Sequence, residues 1–192
     1  MVPAHDPERE ELEGRGWVVV ARSFGAHLDS ARIDPEHLRK LTADSGSITR
    51  ELTADDVDTV LELDAATTGD YPGSAATHHE PLTRASASPS DFRRAFGAFL
   101  PNGDLVGMTF VDINDKDAET DFTVVHRDWR RRGLGTAVKA ASILALAADG
   151  VTRFRTGGSA ENTAILRSND AVGYVRDEEW VTLRNGTERV SP

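Results

Sequence analysis

The sequence predicts an α/β fold in which helices flank a mixed, mainly antiparallel sheet. Two apolar strands flank Asn102-Gly103, a dipeptide that is a strong signal for a hairpin between antiparallel strands. A β-branched strand that ends at Val125 leads through a glycine turn into an apolar helix over 136–148. Because a crossover helix joins parallel strands, the strand predicted over 151–155 must lie parallel to the strand before that helix.

Residues 1–45 are predicted to form an N-terminal extension, and residues 46–192 the main domain. Apolar and β-branched residues over 17–21 predict a strand in the extension. Asp34-Pro35 is typical of a helix start, with the aspartate as cap and the proline at the first helical position, and it predicts a helix over 35–41. The extension therefore consists of a strand and a helix.

The main domain begins with a predicted strand over 48–52. Thr53 to Asp56 has the pattern of a capping box, which predicts a helix behind it. Residues 67–90 are rich in Gly, Pro, Ser, Thr and His, and they predict a long loop that a short helix over 91–95 closes. The remaining strands are predicted over 96–100, 105–113, 119–125 and 151–155, with a last hairpin formed by 174–178 and 180–183.

The turn from Arg130 to Gly135 lies between a strand and a helix, which is the geometry of an anion site. The first N–H groups of a helix have no intrahelical partner and lie at the positive end of its dipole. Gly133 and Gly135 let an anion approach the backbone, since neither carries a Cβ. A Walker loop needs a lysine before Thr136, and a dinucleotide fingerprint needs a third glycine where Val138 stands, so both alternatives fit poorly.

Arg-x-x-Gly-x-Gly after a strand resembles the pyrophosphate-binding motif of the GNAT superfamily, the acetyl-CoA-dependent N-acetyltransferases. The segment from Glu161 to Tyr174 resembles the later motif of that family, an asparagine near the start of a helix that ends in Gly-aromatic. Asn162 and Asn169 are seven residues apart, so both side chains lie on one helix face. Both motifs occur in the order of the family.

The resemblance implies a GNAT fold, with a sheet that is splayed between strands 119–125 and 151–156 and with the pantetheine arm of acetyl-CoA in the splay. It assigns the main-chain groups of Val125 to Arg127 to pantetheine and those of Arg131 to Thr136 to pyrophosphate. The side chains of Arg130 and Arg132 either bind phosphate or are solvated. The implied cofactor-binding residues are Val125, His126, Arg127, Arg130, Arg131, Arg132, Gly133, Leu134, Gly135, Thr136, Asn162 and Asn169.

Glu119 is the predicted general base. Strand alternation predicts that Glu119 and Asp121 share one face with Thr123 and Val125. Several family members keep the base, or the residue that holds a water, on this strand about ten residues before the arginine motif, and Glu119 fits that position best. Asp121 and a bound water remain alternatives. Gly157 stands where other members carry a glutamate.

Asn169 stands where many members have the tyrosine that protonates the leaving sulfur, and a subgroup resembling mycothiol synthase also has asparagine there. Asn169 can donate a hydrogen bond to sulfur. A thiol has a pKa of ~8.5, so its anion leaves without a full proton donor. A general acid contributes ~10²- to 10⁴-fold, so this departure permits a slower enzyme.

Gly16-Trp17 repeats the Gly173-Tyr174 pattern ahead of a strand. This repetition resembles the tandem acetyltransferases of actinobacteria, in which the tail of one unit continues into the next. Residues 1–45 are therefore either a remnant of a preceding unit or an ordinary added strand and helix.

Composition limits the partners of the chain. The absence of cysteine excludes disulfides, thiolate metal sites and a cysteine nucleophile. A net charge of −10 argues against nucleic-acid binding through the arginine turn and favours an amine-bearing acceptor. Adjacent His78 and His79 point apart without a further clustered ligand, so no metal site is predicted. The sequence has no apolar run typical of a signal peptide or a membrane span, and a cytoplasmic location is expected.

We therefore expect acetyl transfer from acetyl-CoA to a primary amine of a small molecule, by direct attack in a ternary complex. A regulatory module that binds acyl-CoA with little or no catalysis and a protein N-acetyltransferase are the alternatives. Contacts to the acceptor are expected from the loop over 67–95, including Asp70, Tyr71 and Pro72. A homodimer is left open.

Overall fold

The computed structural model describes residues 1–70 and 79–186, which form one eight-stranded sheet with helices on both faces. The strands are β1 (Val2–Pro3), β2 (Trp17–Asp29), β3 (Ile48–Glu51), β4 (Arg93–Phe99), β5 (Leu105–Asn114), β6 (Asp117–Val125), β7 (Arg153–Ser159) and β8 (Val175–Asn185). The α-helices are α1 (Pro7–Gly14), α2 (Pro35–Asp44), α3 (Val57–Thr67), α4 (Arg84–Ala87), α5 (Leu134–Ala148) and α6 (Thr163–Val172). None of these helices is long and apolar enough to cross a membrane.

The predicted mixed, mainly antiparallel sheet is confirmed. Its strand order is β1-β8-β2-β7-β6-β5-β4-β3. The pair β6 and β7, which α5 connects, is parallel, and every other pair of neighbouring strands in this sheet is antiparallel. Asn102 and Gly103 lie in the turn between β4 and β5, where Gly103 has a φ of 95°, a value that favours glycine.

The parallel pair β6 and β7 separates along its length, which gives the sheet its predicted splay. Its register covers three residues on each strand and ends at the pair Glu119 and Arg155. Beyond that pair, β6 continues to Val125 beside β5, and β7 continues to Ser159 beside β2. The facing edges of the two strands are therefore unpaired with each other over these last residues.

Strand β2, from the predicted N-terminal extension, lies inside the sheet. Its second half pairs with β7, from Ser23 to Asp29, and most of its length pairs with β8. Phe24, Ala26 and Leu28 are buried in the core. Residues 17–29 therefore belong to the same sheet as the main domain. The origin of residues 1–45 in a preceding unit stays a prediction.

Each face of the sheet has its own apolar core. On one face, α5 packs with α2 over a cluster that includes Leu38, Phe96, Ile143 and Phe154. On the other face, α3 and α4 cover a second cluster, which includes Phe122 and the apolar side chains of α3. The site described below lies where the splay of β6 and β7 meets α5.

The predicted hairpin over 174–178 and 180–183 is wrong, because the chain there forms one strand, Val175–Asn185. A turn is not needed, since β8 pairs with β2 along nearly its full length. A bulge at Val20 of β2 and another at Asp177 of β8 absorb the irregularities of that pairing.

The predicted short helix over 91–95 is also wrong, because β4 begins at Arg93. Backbone hydrogen bonds join the residues before it to the sheet. The N–H groups of Ser90 and Arg93 each donate to the carbonyl of the other, and the Ile113 N–H donates to the Phe92 carbonyl at 2.8 Å. This pairing partner lies far along the chain, where local propensity carries no information about it.

Candidate functional site

A cavity of about 670 Å³ opens in the splay, between β6, the arginine turn, α5 and α6. Eight of the predicted cofactor-binding residues line it: Val125, Arg130, Arg131, Gly133, Leu134, Gly135, Thr136 and Asn162. The lining also includes residues that were not predicted, among them Thr67, Thr123, Val124, Arg167 and Ser168. Helical periodicity from Asn162 does not indicate Ser168, since six residues are not a whole number of turns. Ser168 instead shares a helix face with Ala164, four residues before it, which also lines the cavity.

The arginine turn directs backbone N–H groups into this cavity. Arg131 has a φ of 62° and Gly133 a φ of 79°, so the turn contains two left-handed residues. Its helix begins at Leu134, and the first bond that closes a helical turn runs from the Ala137 N–H to the Gly133 carbonyl at 2.9 Å. The N–H groups of the three residues between them have no helical acceptor. Such a run of unpaired N–H groups is a binding site for anionic oxygens.

The two glycines of the turn serve different purposes. Gly133 adopts a left-handed conformation, in which any side chain would be strained. A Cβ on Gly135 would meet the Val125 side chain at 3.6 Å and that of Thr123 at 3.9 Å, which are ordinary contacts. Packing therefore does not require glycine at 135. Its missing side chain leaves room in the cavity instead.

Asp70 forms ion pairs with Arg127 and Arg130 at the rim of the cavity. Its carboxylate accepts a hydrogen bond from Arg130 at 2.8 Å and lies 3.5 Å from the Arg127 guanidinium. The Nε of Arg130 also donates to the Val125 carbonyl at 3.0 Å. Arg132 points elsewhere, since its guanidinium lies 4.5 Å from the centre of the Trp129 ring.

Four predicted cofactor-binding residues are not part of the lining: His126, Arg127, Arg132 and Asn169. Three of them have other contacts. The His126 ring accepts from the Asp128 N–H at 3.4 Å, Arg127 is paired with Asp70, and Arg132 stacks on Trp129. Asn169 lies next to a lining residue and is buried.

A bulge interrupts the alternation of β6 at Asp121. Phe122 pairs with Phe110 on β5, whereas Thr120 pairs with Val111, the next residue along that strand. Asp121 therefore has no partner residue on β5, and side chains on its two sides no longer follow one alternation.

The predicted common face of Glu119, Thr123 and Val125 is wrong, because the bulge shifts the alternation by one residue. Glu119 instead shares the face of Phe122, which packs under α3. Thr123 and Val125 are on the opposite face, toward α5. The role of Glu119 as base stays a prediction.

The alternative base, Asp121, is engaged in an ion pair with Arg93, at 2.6 Å. Glu119 is exposed, and its carboxylate has no hydrogen bond or ion pair with the part of the chain that is described. A side chain at Gly157 would place its Cβ 2.9 Å from the Phe24 carbonyl oxygen, so the backbone of β2 excludes an acid there.

A buried polar group lies directly beneath the cavity. Asn169 is 2% exposed, and neither atom of its amide has a hydrogen-bond partner among the described residues. Lys139 is 1% exposed and donates to the Thr156 hydroxyl at 3.3 Å. Burial lowers the pKa of Lys139 to about 7. Burial also raises the pKa of Tyr174. Sequence analysis assigned a role to Asn169 but did not predict Lys139.

On the α3 face, Asp64 and His79 form a second buried pair. The Asp64 carboxylate accepts from the His79 ring at 2.7 Å and from the Leu82 N–H at 2.8 Å. The His79 ring lies 4.4 Å from that of Phe122. These contacts fix the end of the long loop on α3 and β6. His78, Tyr71 and Pro72 lie outside the described residues, within which no three His, Cys, Asp or Glu side chains form a metal-binding cluster.

Residues 60–168 match the family model described as the acetyltransferase (GNAT) family. Among solved structures, a GCN5-related N-acetyltransferase from Sphaerobacter thermophilus has a TM-score of 0.68 and 17% identity, covering 94% of this chain and 56% of that chain. A tandem GNAT protein from the clavulanic acid biosynthesis pathway has a TM-score of 0.62 and 22% identity, and the match covers 95% of this chain and 59% of that chain.

A third similar structure is a GCN5-related glucosamine N-acetyltransferase region of a fungal multi-domain GH3 beta-N-acetylglucosaminidase. Its TM-score is 0.67 at 12% identity, covering 95% of this chain and 23% of that chain. Identities this low show a shared fold. The chain spans less than two thirds of the length of these three proteins. No curated protein matches it significantly.

Proposed function

The chain belongs to the GNAT acetyltransferase family, and from this premise we propose that it moves an acetyl group from acetyl-CoA to a primary amine of a small molecule. The observation that carries this proposal is the cavity in the splay, with unpaired N–H groups at its end. We propose further that the acceptor attacks directly, in a ternary complex.

The residues present fit acetyl-CoA at both ends of the cavity. The N–H groups of Leu134, Gly135 and Thr136 would hold the pyrophosphate at the start of α5, with Arg130 and Arg131 beside it. At the inner end, Asn169 lies next to the lining residue Ser168, and its buried amide has no partner among the described residues. This amide supports a polar ligand there, since buried amides are rarely left unpaired.

Between these two ends, β6 supplies the wall along which an amide-bearing chain can lie. The edge of β6 that faces β7 has no strand partner after Glu119. Backbone groups on an unpaired edge bind extended amide chains as a further strand would. This edge supports the placement of pantetheine beside Val124 and Val125, which line the cavity.

Acetyl-CoA would supply an activated thioester, and the chain supplies orientation and proton transfer. Glu119 is the proposed base, because its carboxylate is free of ion pairs within the described residues and lies on the face opposite α5. Asn169 is the proposed hydrogen-bond donor to sulfur. We also propose that Asn169 corresponds to the asparagine found at this position in mycothiol-synthase-like members.

An amine acceptor is supported by the charge of the face on which Glu119 lies. Glu119 is opposite Asp112 in the register of β5 and β6, and Asp121 is nearby on the bulge. Only Arg93 among the described residues neutralises the two aspartates, with contacts of 2.6 Å to each. The whole chain carries a net charge of −10, which favours a cationic amine over an anionic acceptor.

Calorimetric titration of acetyl-CoA, followed by thiol release with a panel of primary amines, tests the proposal. Binding with release that depends on the amine is the expected result. If acetyl-CoA binds but no amine and no amine-terminated peptide causes thiol release, the chain is a regulatory acyl-CoA-binding module. If only peptides cause thiol release, the chain is a protein N-acetyltransferase. Failure of acetyl-CoA to bind would contradict the proposed function.

Replacing Glu119 by glutamine tests the base. A general base contributes ~10²- to 10⁴-fold, so Glu119→Gln should lower kcat by about a hundredfold or more while leaving the affinity for acetyl-CoA unchanged. Asp121→Asn is the matched control on the same strand, and its effect should be much smaller because Arg93 already engages that carboxylate. Equal losses in both variants would rule out the assignment of the base to Glu119.

A further inference from the structure

Lys139 lies one helical turn below the cavity, on the face of α5 that lines it. Gly135 and Thr136 line the cavity, and Lys139 follows them by four and three residues, which places it on the same helix face. The rise of the helix over that interval is roughly 5 Å. The Thr136 hydroxyl donates to Ser168 at 3.2 Å, and this contact lies between the cavity and the residues beneath it.

The Lys139 amine lies at the point where β6 and β7 separate. The last pair of the two strands is Glu119 with Arg155, so Thr120 and Thr156 are the first residues on each strand beyond it. Lys139 donates to the Thr156 hydroxyl at 3.3 Å. The centre of the Tyr174 ring is 5.7 Å from the Lys139 amine. These side chains therefore close the inner end of the splay.

Among the described residues, no charged side chain compensates the Lys139 ammonium. Its contacts are with Thr156 of β7 and with Tyr174, the residue before β8, and neither is charged at neutral pH. Burial alone accounts for its lowered pKa. A buried amine without a counter-ion is costly for the fold unless a ligand uses it. Helix α6, which packs on α5, holds the Asn169 amide, which is also buried and has no partner among the described residues.

The other ionisable groups near the cavity are poor proton donors. Burial raises the pKa of Tyr174, which makes its hydroxyl a weaker acid than usual. Arg130 and Arg131 cannot release a proton in a protein. Asp70 is in an ion pair with Arg130, and the amide of Asn169 is not acidic.

We infer that Lys139 gives a proton to the sulfur that leaves when the acyl group is transferred. This inference rests on the proposed function. The acceptor nitrogen forms a bond to the acyl carbon, the C–S bond breaks, and the sulfur takes a proton from the Lys139 ammonium. The acceptor nitrogen loses its proton to Glu119 or to water, and solvent reprotonates Lys139 after the products leave. The step releases a neutral thiol, which avoids a thiolate in a buried site.

The pKa of bound CoA's thiol tests this contact without an acceptor. Ultraviolet absorbance of the thiolate, measured against the complex with desulfo-CoA, gives that titration directly. In the wild-type protein the thiol should titrate at least about one unit lower than in Lys139→Met, because the Lys139 amine can donate a hydrogen bond to the thiolate and methionine cannot. Lys40→Met, at an exposed lysine of α2, should match the wild type.

Steady-state rates with the fastest amine of the panel then test proton donation. Lys139→Met should lower kcat by about a hundredfold with the affinity for acetyl-CoA changed less than about threefold. Lys139→Arg keeps the charge without a proton to give, so it should be as slow as Lys139→Met. The wild-type kcat should decline on the alkaline side as Lys139 loses its proton, and this decline should be absent from both variants.

A restored amine provides a further control, since the chain contains no cysteine. Lys139→Cys, alkylated with 2-bromoethylamine while unfolded and then refolded, regains an amine that is more acidic than that of lysine. Its kcat should recover, with an alkaline decline at lower pH than in the wild type.

The outcomes separate this inference from the proposed function. If the thiol of bound CoA titrates alike in the wild type and Lys139→Met, Lys139 does not contact sulfur, and the inference is overturned while the function stands. Wild-type activity in Lys139→Arg would overturn proton donation in the same way. Failure of CoA and acetyl-CoA to bind would instead overturn the proposed function, and this inference with it.

Discussion

Lys139 is the residue at which sequence and tertiary environment disagree most. Lys139 is only 1% exposed in α5, whereas lysine as a residue type predicts a solvated position. The other two lysines, Lys40 and Lys116, are exposed. Sequence alone could not resolve this conflict, because the polar surroundings of Lys139 come from strands and a helix far along the chain.

We expect Lys139→Met to stabilise the protein. The pKa of Lys139 falls from 10.5 when unfolded to about 7 when folded, so the unfolded chain binds more protons between these two pH values. Wild-type stability should therefore rise with pH across that window, and below it the full penalty for burying the ammonium remains. The gain in melting temperature from Lys139→Met should be largest near and below the folded pKa and should shrink toward 10.5.

Thermal unfolding of both proteins across that range measures this dependence, with Lys40→Met as the exposed control. A stabilisation by Lys139→Met that does not vary with pH would mean that packing, and not the buried charge, is the cause. A loss of stability would mean that Lys139 has a partner which compensates its burial.

Elements defined by local hydrogen bonds could be predicted from sequence. Asp34 accepts from two N–H groups at the start of α2, and the Thr53–Asp56 capping box is present as predicted. Asn162 caps α6 by accepting from the Ile165 N–H at 3.2 Å, and Gly173 ends it with a φ of 97°. Each of these contacts joins residues that are a few positions apart, so the sequence contains both partners.

Elements defined by distant pairing could not be predicted in the same way. The bulge at Asp121 depends on the register with β5, and it moves Glu119 to the face opposite Thr123. The continuous strand β8 depends on β2, whose residues lie more than a hundred positions earlier. Periodicity indicates that a strand exists, but register and neighbours follow from packing of the whole sheet.

The turn at the start of α5 should bind the pyrophosphate through its main chain. Gly135→Asp should nearly abolish binding of acetyl-CoA, because the new side chain would project into the cavity and place a negative charge beside the phosphates. The fold should survive, since a Cβ at 135 meets only ordinary contacts of 3.6 Å and 3.9 Å. Arg132→Ala should weaken binding only a few-fold, about 0.5 to 1 kcal/mol, because an exposed arginine contributes a screened attraction.

Calorimetric titration of acetyl-CoA into both variants, with melting temperatures recorded beside it, compares the two contributions. Arg132 already stacks on Trp129 and is not part of the cavity lining, which supports the smaller effect. If Arg132→Ala loses as much affinity as Gly135→Asp, arginine side chains bind the phosphates and the main-chain assignment is wrong.

At the scale of the whole molecule, the N-terminal residues complete the sheet. β2 separates β7 from β8, which do not pair with each other. Its buried residues Phe24, Ala26 and Leu28 belong to the same core cluster as Phe154 and Tyr174. The sequence predicted the strand but could not indicate its neighbours. A boundary at residue 46 therefore does not separate two independent cores.

Removal of residues 1–45 should consequently prevent the remainder from folding. Both β7 and β8 would lose the strand between them, and the large apolar side chains of β2 would leave the core beneath α5, where loss of one such side chain typically costs ~2 to 5 kcal/mol. Removal of residues 1–14 alone takes away β1 and α1, which lie at the edge of the sheet beside β8. That shorter deletion should fold, with a lowered melting temperature and an unchanged affinity for acetyl-CoA. Far-ultraviolet circular dichroism and calorimetry on the two truncated chains distinguish these cases: a chain of residues 46–192 that unfolds cooperatively and binds acetyl-CoA would establish an autonomous domain and show that β2 is dispensable.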